Sequence, residues 1–141
     1  MTKPAKALAF LAVAALTSWG LYRYTRVAPA SAVVLFASYD SGTAGSWLEL
    51  RADGTYTYTS ASGFTQSATS GSYYLRDSLL SLSRLPKKGV LKRKELLIRS
   101  SPQHLPRSTG KTVWQLDKGG HVDSSLVVFT VYHPAMATLS P

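Results

Sequence analysis

A group of aromatic side chains in the middle of the chain provides the residues best suited to bind a ligand. Tyr56 and Tyr58 lie two positions apart in a threonine-rich run, so a β-strand places both rings on one face. Aromatic rings around a barrel mouth can hold an apolar ligand, a peptide or a sugar ring. The same residue types also fill the core and sheet faces of small β-domains, and this second interpretation stays open. The candidate ligand-binding residues are Trp47, Tyr56, Tyr58, Tyr73 and Trp114.

Residues 84 to 111 form a basic segment, which contains nine Lys and Arg residues and a single acid, Glu95. Such clustering of one sign of charge is typical of a site for an anionic partner. We expect no nucleic acid as partner in an exported domain, and instead consider anionic lipid headgroups, an acidic glycan or another envelope protein. The alternative is a solvated, flexible loop whose charge aids solubility. The candidate residues for binding an anionic surface are Lys87, Lys88, Lys92, Arg93 and Lys94.

The acidic and histidine residues form no catalytic pattern. General acid–base catalysis needs carboxylates or histidines that converge in a cleft, whereas five aspartates fall in predicted turns or strand ends, where they usually bond their own backbone. His104, His121 and His133 are too far apart in sequence for a recognisable metal motif, and the chain has no cysteine. We therefore predict a protein that is not an enzyme, with no metal and no cofactor.

An uncharged apolar run, residues 7–22, precedes these features and has basic residues on both sides. A basic flank, an apolar stretch and the Ala-Pro-Ala sequence of residues 28–30 are typical of a secretory signal that is cleaved after Ala30. Arg23 and Arg26 stand before that cleavage site, and aromatic residues cluster nearby, which favours an uncleaved membrane anchor instead. Both interpretations place the remainder of the chain outside the cytoplasm, either periplasmic or secreted, or anchored to the inner membrane.

The rest of the chain has the period-2 alternation and turn signals of antiparallel strands. The 141 residues, 45% of them hydrophobic, suffice for one domain with its own core. We predict an all-β antiparallel meander of about eight short strands that closes into a small barrel, because closure removes exposed strand edges. An immunoglobulin-like sandwich is the alternative. The predicted strands are 33–39, 46–51, 55–60, 72–75, 78–83, 95–99, 112–116 and 126–132, with a Ser/Gly-rich loop between the third and fourth.

The predicted organisation has three parts. Residues 1–30 are a hydrophobic helix that acts as signal peptide or anchor, residues 31–133 are the barrel domain, and residues 134–141 are a flexible tail. A short arm through His121 and Val122 is expected to pair back after the turn at residues 117–120.

The sequence Gly45-Ser46-Trp47, followed by Leu48-Glu49-Leu50 and Asp53-Gly54-Thr55-Tyr56, resembles the G-x-W opening of lipocalin-like barrels. It is most similar to small bacterial envelope proteins with a lipocalin-like domain, and the match covers residues 45–83. The resemblance implies a lipocalin-like barrel in which Trp47 plugs one end and the interior holds a small apolar ligand. A barrel of this size can also be filled by its own side chains.

These observations predict an exported or membrane-anchored β-barrel that binds a small apolar ligand or an anionic surface of the cell envelope. The alternative function is a structural or assembly protein that contacts another envelope protein through the exterior of the barrel. A hollow, aromatic-lined interior would favour the first function, and a filled interior with an exposed apolar patch would favour the second.

Overall fold

Eight antiparallel strands form a closed barrel in the computed structural model, which describes residues 30–102 and 105–133. Each strand pairs with its neighbours in sequence, and the last strand pairs with the first. The predicted all-β antiparallel barrel is confirmed, and the sandwich alternative is wrong. The strands are β1 (Val33–Asp40), β2 (Ala44–Arg51), β3 (Thr55–Ser62), β4 (Thr65–Arg76), β5 (Leu79–Leu82), β6 (Glu95–Ser100), β7 (Ser108–Gln115) and β8 (Phe129–Tyr132).

The predicted hydrophobic helix, its cleavage site and the predicted tail lie outside the described residues. Within those residues, no helix has the length and hydrophobicity needed to cross a membrane.

Alternation of buried and exposed residues sets the two faces of the barrel wall. On β2, Leu48 and Leu50 are fully buried and point inward, while Trp47 and Glu49 lie on the outer face. The β2–β3 turn closes at Gly54, whose φ of +80° is in the left-handed region that glycine tolerates best.

Two strands begin at least four residues before their predicted starts. β4 begins at Thr65, because the predicted loop pairs residue by residue with β3, from Ser62↔Thr65 to Tyr56↔Gly71. This segment consists of Ser, Thr, Ala, Gly and Gln, so it shows no apolar alternation, and its pairing with β3 decides its conformation. β7 likewise begins at Ser108 rather than at residue 112.

The start of β8 and the short arm after β7 are the last two elements to compare with the prediction. β8 begins at Phe129, three residues later than predicted, and the Val127 carbonyl before it accepts a hydrogen bond from the Gln115 side chain. The expected short arm is present as a single bridge between Leu116 and Val122.

Side chains fill the barrel interior. The inward rings of Tyr58 and Phe129 meet edge to face, with centroids 6.5 Å apart. Trp47 is on the outer wall and does not plug a barrel end, in contrast to the expectation from the lipocalin-like resemblance. The buried core consists of Ala37, Leu48, Leu50, Tyr56, Tyr58, Leu80, Leu82, Leu91, Leu96, Val113, Phe129 and Val131.

The two ends of the barrel differ in what covers them. We call one end the mouth: it carries the β1–β2 turn, the β3–β4 hairpin tip at Gly63 and Phe64, and the long β5–β6 connection, residues 83–94, which we call the mouth loop. The opposite end, the base, is where β1 begins. The predicted basic segment is divided between these ends, since Arg99, Arg107 and Lys111 lie towards the base and the other six basic residues lie on or beside the mouth loop.

Candidate functional site: the barrel mouth

The mouth loop is inserted into the barrel end. Leu91 is 1% exposed and belongs to the core. The backbone N–H of Val90 donates a hydrogen bond to the Tyr58 hydroxyl at 3.0 Å. At the start of the loop, the Tyr56 hydroxyl donates to the Arg84 carbonyl at 2.6 Å. The two inward tyrosines therefore hold the loop from inside the barrel.

Gln115 at the end of β7 fixes the far side of the loop. Its side-chain oxygen accepts hydrogen bonds from the backbone N–H groups of Lys92 and Arg93, at 2.7 and 3.2 Å. Its side-chain nitrogen donates to the carbonyls of Val90 and Val127, at 3.1 and 3.2 Å. Gln115 is 1% exposed, so these four bonds satisfy its amide without water. The alternative of a flexible, solvated loop does not describe residues 90–93.

The candidate basic residues have different environments. Arg93 forms an ion pair with Asp123 at 3.0 Å, and the Lys94 ammonium donates to the Ser83 carbonyl at 3.2 Å. Lys87 and Lys88 are exposed. Among residues 30–102 and 105–133 they take part in no ion pair.

Arg84, which the sequence analysis did not single out, joins Lys87 and Lys88. All three line an open groove of about 470 Å³ beside β4, which contributes the hydroxyl groups of Ser67, Thr69 and Ser70. We call Arg84, Lys87 and Lys88 the basic rim. Hydrogen bonds at the Arg84 carbonyl and the Val90 N–H hold the backbone on either side of Lys87 and Lys88.

A pocket of about 350 Å³ opens inside the mouth, next to the groove, and shares Ser67 and Lys88 with it. Among the described residues, its lining contains one charged residue, Lys88, and one aromatic residue, Tyr39, whose ring packs edge to face on Phe129 with centroids 6.4 Å apart. We call it the mouth pocket. Its lining consists of Tyr39, Ser41, Ala44, Ser46, Ser60, Ser62, Thr65, Gln66, Ser67, Lys88, Gly89 and Val90.

A chain of hydroxyl groups forms the floor of the mouth pocket. The Tyr58 hydroxyl accepts from the Val90 N–H and donates to Ser46 Oγ at 3.0 Å. Ser46 Oγ in turn donates to Ser60 Oγ at 3.3 Å. Within the described part of the chain, the Ser60 hydroxyl has no acceptor of its own, so its proton is free for a molecule in the pocket.

The five candidate aromatic residues do not converge on one site. Tyr56 and Tyr58 share the inner face as predicted, and burial raises the pKa of Tyr56. Tyr73 also points inward and donates its hydroxyl to the Arg51 carbonyl at 2.8 Å, near the base. Trp47 and Trp114 lie on the outer wall, where the Trp114 indole donates to Thr112 at 3.0 Å. None of these five residues belongs to the lining of the mouth pocket, and Tyr58 contributes to it only through its hydroxyl, which bonds the lining residues Ser46 and Val90.

Four of the five turn aspartates bond the local backbone, as the sequence predicts. Asp40 accepts from the Gly42 N–H, and the carboxylates of Asp53, Asp117 and Asp123 accept in the same local manner. The Thr55 hydroxyl lowers the pKa of Asp53. No group of three His, Asp or Glu side chains able to hold a metal ion occurs in the described ranges.

Sequence reasoning missed the hydroxyl residues of the mouth pocket, although one signal was present. Ser60 and Ser62 continue the two-residue register of Tyr56 and Tyr58, so they had to face inward at the barrel end. Inward serines beyond the last large side chain indicate a polar opening. The mouth loop lacks any such periodicity, so its position could not be inferred.

The chain matches no protein-family model, no curated protein and no solved structure.

Proposed function

We propose that this chain is an exported or membrane-anchored, noncatalytic β-barrel domain that binds an anionic lipid surface of the cell envelope through its mouth. The observation that carries the proposal is the basic rim, three exposed cations that line one groove and form no ion pair within the described residues. Each basic residue close to an anionic leaflet contributes about 1 kcal/mol of binding.

Phe64 supports a lipid surface as the partner. It occupies the tip of the β3–β4 hairpin and its side chain is fully exposed. The residues that follow it, Thr65 to Ser67, line the mouth pocket together with Lys88, so the ring and the basic rim lie at the same barrel end. Burying a Phe side chain in the interface contributes roughly 2 kcal/mol. With three cations the total is about 5 kcal/mol, which corresponds to a sub-millimolar affinity for lipid.

The barrel topology, the Gly45-Ser46-Trp47 motif and the filled interior also bear on this proposal. The closed antiparallel meander and the Gly45-Ser46-Trp47 motif support a relationship to small lipocalin-like envelope proteins. The filled interior leaves little support for an apolar ligand inside the barrel.

Co-sedimentation with vesicles tests the proposal. Residues 31–141 are mixed with vesicles of phosphatidylcholine alone or with an added anionic phospholipid, at up to millimolar lipid because the expected affinity is low. The triple variant Arg84→Gln, Lys87→Gln, Lys88→Gln is compared with a control of equal charge change at the base, Arg99→Gln, Arg107→Gln, Lys111→Gln.

We expect binding to anionic vesicles only, weakened about a hundredfold by the mouth variant and far less by the base variant. Phe64→Ser is expected to weaken binding about thirtyfold without altering the charge. Equal binding by the mouth variant and the parent would refute the proposal, and so would equal losses in the mouth and base variants.

An apolar row on the outer wall supports the second candidate function, contact with another envelope protein. Leu79, Leu97 and Trp114 lie in direct register across β5, β6 and β7, and Leu79 is 40% exposed. A photo-crosslinking side chain at position 97, compared with one at the outward Thr57 of β3, tests this function in cells. A crosslinked partner specific to position 97 is the expected result of an assembly role, and equal labelling at both positions would rule that role out.

A further inference from the structure

The direction of the hydroxyl chain makes the mouth pocket selective for ligands that accept hydrogen bonds. Because Val90 donates to Tyr58, Tyr58 to Ser46 and Ser46 to Ser60, the only proton left at the floor is that of Ser60. An oxygen without a proton, as in a phosphate, is the complementary partner.

The walls of the pocket add groups that can both donate and accept. Two lining hydroxyls are occupied locally, since Ser41 bonds the Ala44 carbonyl and Thr65 the Ser62 carbonyl. The side chains of Tyr39, Ser62, Gln66 and Ser67 make no hydrogen bond within residues 30–102 and 105–133. Such groups match the hydroxyls of a ligand, which also donate and accept.

The charge of the pocket lining indicates the charge of the ligand. Lys88 is the one charged residue of the lining and stands where the pocket meets the groove. An ammonium beside a free hydroxyl donor suits an oxyanion, and the volume of about 350 Å³ lies in the usual range for small-molecule sites. The ligand is therefore small, anionic and hydroxylated.

From these features we infer that the mouth pocket binds a phosphoglycerol group, with its phosphate at Ser60 and Lys88 and its hydroxyls against Ser62, Gln66 and Ser67. The inference rests on the proposed function, since it names the lipid that the mouth selects: a phosphatidylglycerol-type headgroup. Free glycerol phosphate carries the same chemistry, and the experiment separates the two sources.

The experiment compares vesicles of equal surface charge. Phosphatidylcholine vesicles contain the same fraction of either phosphatidylglycerol or phosphatidylserine, so the basic rim and Phe64 are attracted equally to both. Both headgroups carry a phosphate, but the serine headgroup also carries an ammonium, which Lys88 repels from the pocket. We therefore expect residues 31–141 to bind the phosphatidylglycerol vesicles about tenfold more tightly, the gain expected for the hydrogen bond from Ser60 to a phosphate that enters the pocket. A parallel NMR titration uses free glycerol 3-phosphate, with inorganic phosphate and glycerol as comparisons.

Two variants test the named residues. Ser60→Ala is expected to remove the preference for phosphatidylglycerol and leave phosphatidylserine binding unchanged, whereas Ser72→Ala, an exposed serine on the outer face of β4, changes neither. Lys88→Gln, exposed and without a role in the core, is expected to weaken binding of free glycerol 3-phosphate even if Ser60→Ala perturbs folding.

Each outcome decides between the two claims. Equal binding to both anionic vesicles, with no shifts from glycerol 3-phosphate, overturns the inference and leaves the proposed function standing. Shifts at the pocket residues without any vesicle binding support the pocket and refute the surface function. A preference for phosphatidylglycerol that survives Ser60→Ala and Lys88→Gln overturns the assignment of the pocket.

Discussion

The side-chain oxygen of Gln115 on β7 lies 2.7 Å from the backbone nitrogen of Lys92, which precedes it by 23 residues. This bond, with three others to the same amide, joins the mouth loop to the barrel wall. The mouth loop, although charged, is thereby fixed to the barrel wall by hydrogen bonds. The position of the basic rim depends on a neutral amide in the interior.

Gln115→Ala is expected to destabilise the protein by about 3 kcal/mol, because it leaves backbone N–H groups and carbonyls of the loop buried without partners. The free energy of unfolding is measured by urea titration. Gln66→Ala is the control, since Gln66 is exposed and its side chain makes no hydrogen bond in the described chain. A Gln115→Ala variant as stable as Gln66→Ala would show that the loop does not depend on this amide.

Two leucines of the mouth loop should respond differently to truncation. Leu91 is 1% exposed, so Leu91→Ala leaves a cavity and is expected to cost about 3 kcal/mol of unfolding free energy. Leu85, in the same loop, is 37% exposed, and Leu85→Ala is expected to cost less than about 0.5 kcal/mol. Similar unfolding midpoints for the two variants would contradict insertion of the loop into the core.

Substitution of Gly89 is expected to displace the mouth loop. A Cβ atom added at this position would overlap the Tyr58 hydroxyl, and φ is +100°. Gly42 has a φ of +86° and no atom near the position of an added Cβ, so Gly42→Ala measures the backbone strain alone, about 1 kcal/mol. Gly89→Ala should cost clearly more and shift the NMR signals of Val90 and Gln115. Equal costs would show that Gly89 is required only for its backbone conformation.

Stability should fall in acid through the turn aspartates. The Ser125 hydroxyl, and next the Arg93 guanidinium, lower the pKa of Asp123, and the His121 N–H lowers that of Asp117. Because each folded pKa lies below the unfolded value of 3.8, the stabilisation is present above pH 3.8 and is lost as the pH falls through the folded pKa. Urea midpoints are therefore expected to decrease below about pH 4, less steeply in Asp123→Asn. A pH dependence identical in the two proteins would exclude this contribution.

The barrel architecture could be predicted from the sequence because the alternation of residue types along the strands indicates which side chains face inward. Leu48 and Leu50 alternate with polar or aromatic neighbours, and Tyr56 and Tyr58 alternate with threonines, so their sides could be assigned. The first half of β4 could not be assigned, since Thr65 to Gly71 are small or polar and their strand structure comes from pairing with β3.

The candidate site was predicted only in part. Lys87 and Lys88 were identified from charge density, but the same criterion included Arg93, which Asp123 neutralises from 30 residues away. No local pattern marks Leu91 as a core residue or Gln115 as its support, because both roles arise from contacts distant in sequence. Trp47 was placed at a barrel end by a short motif, while its β2 register puts it outside.

The barrel closes through one of its two shortest strands. β8 has four residues, and three residue pairs join it to β1: Phe36↔Tyr132, Ala37↔Val131 and Ser38↔Thr130. Displacement of β8 would leave β1 and β7 with unpaired backbone groups. A β8 segment supplied by a second copy has the same sequence and can fill the gap, so exchange of this strand is the simplest route from the monomer to a dimer.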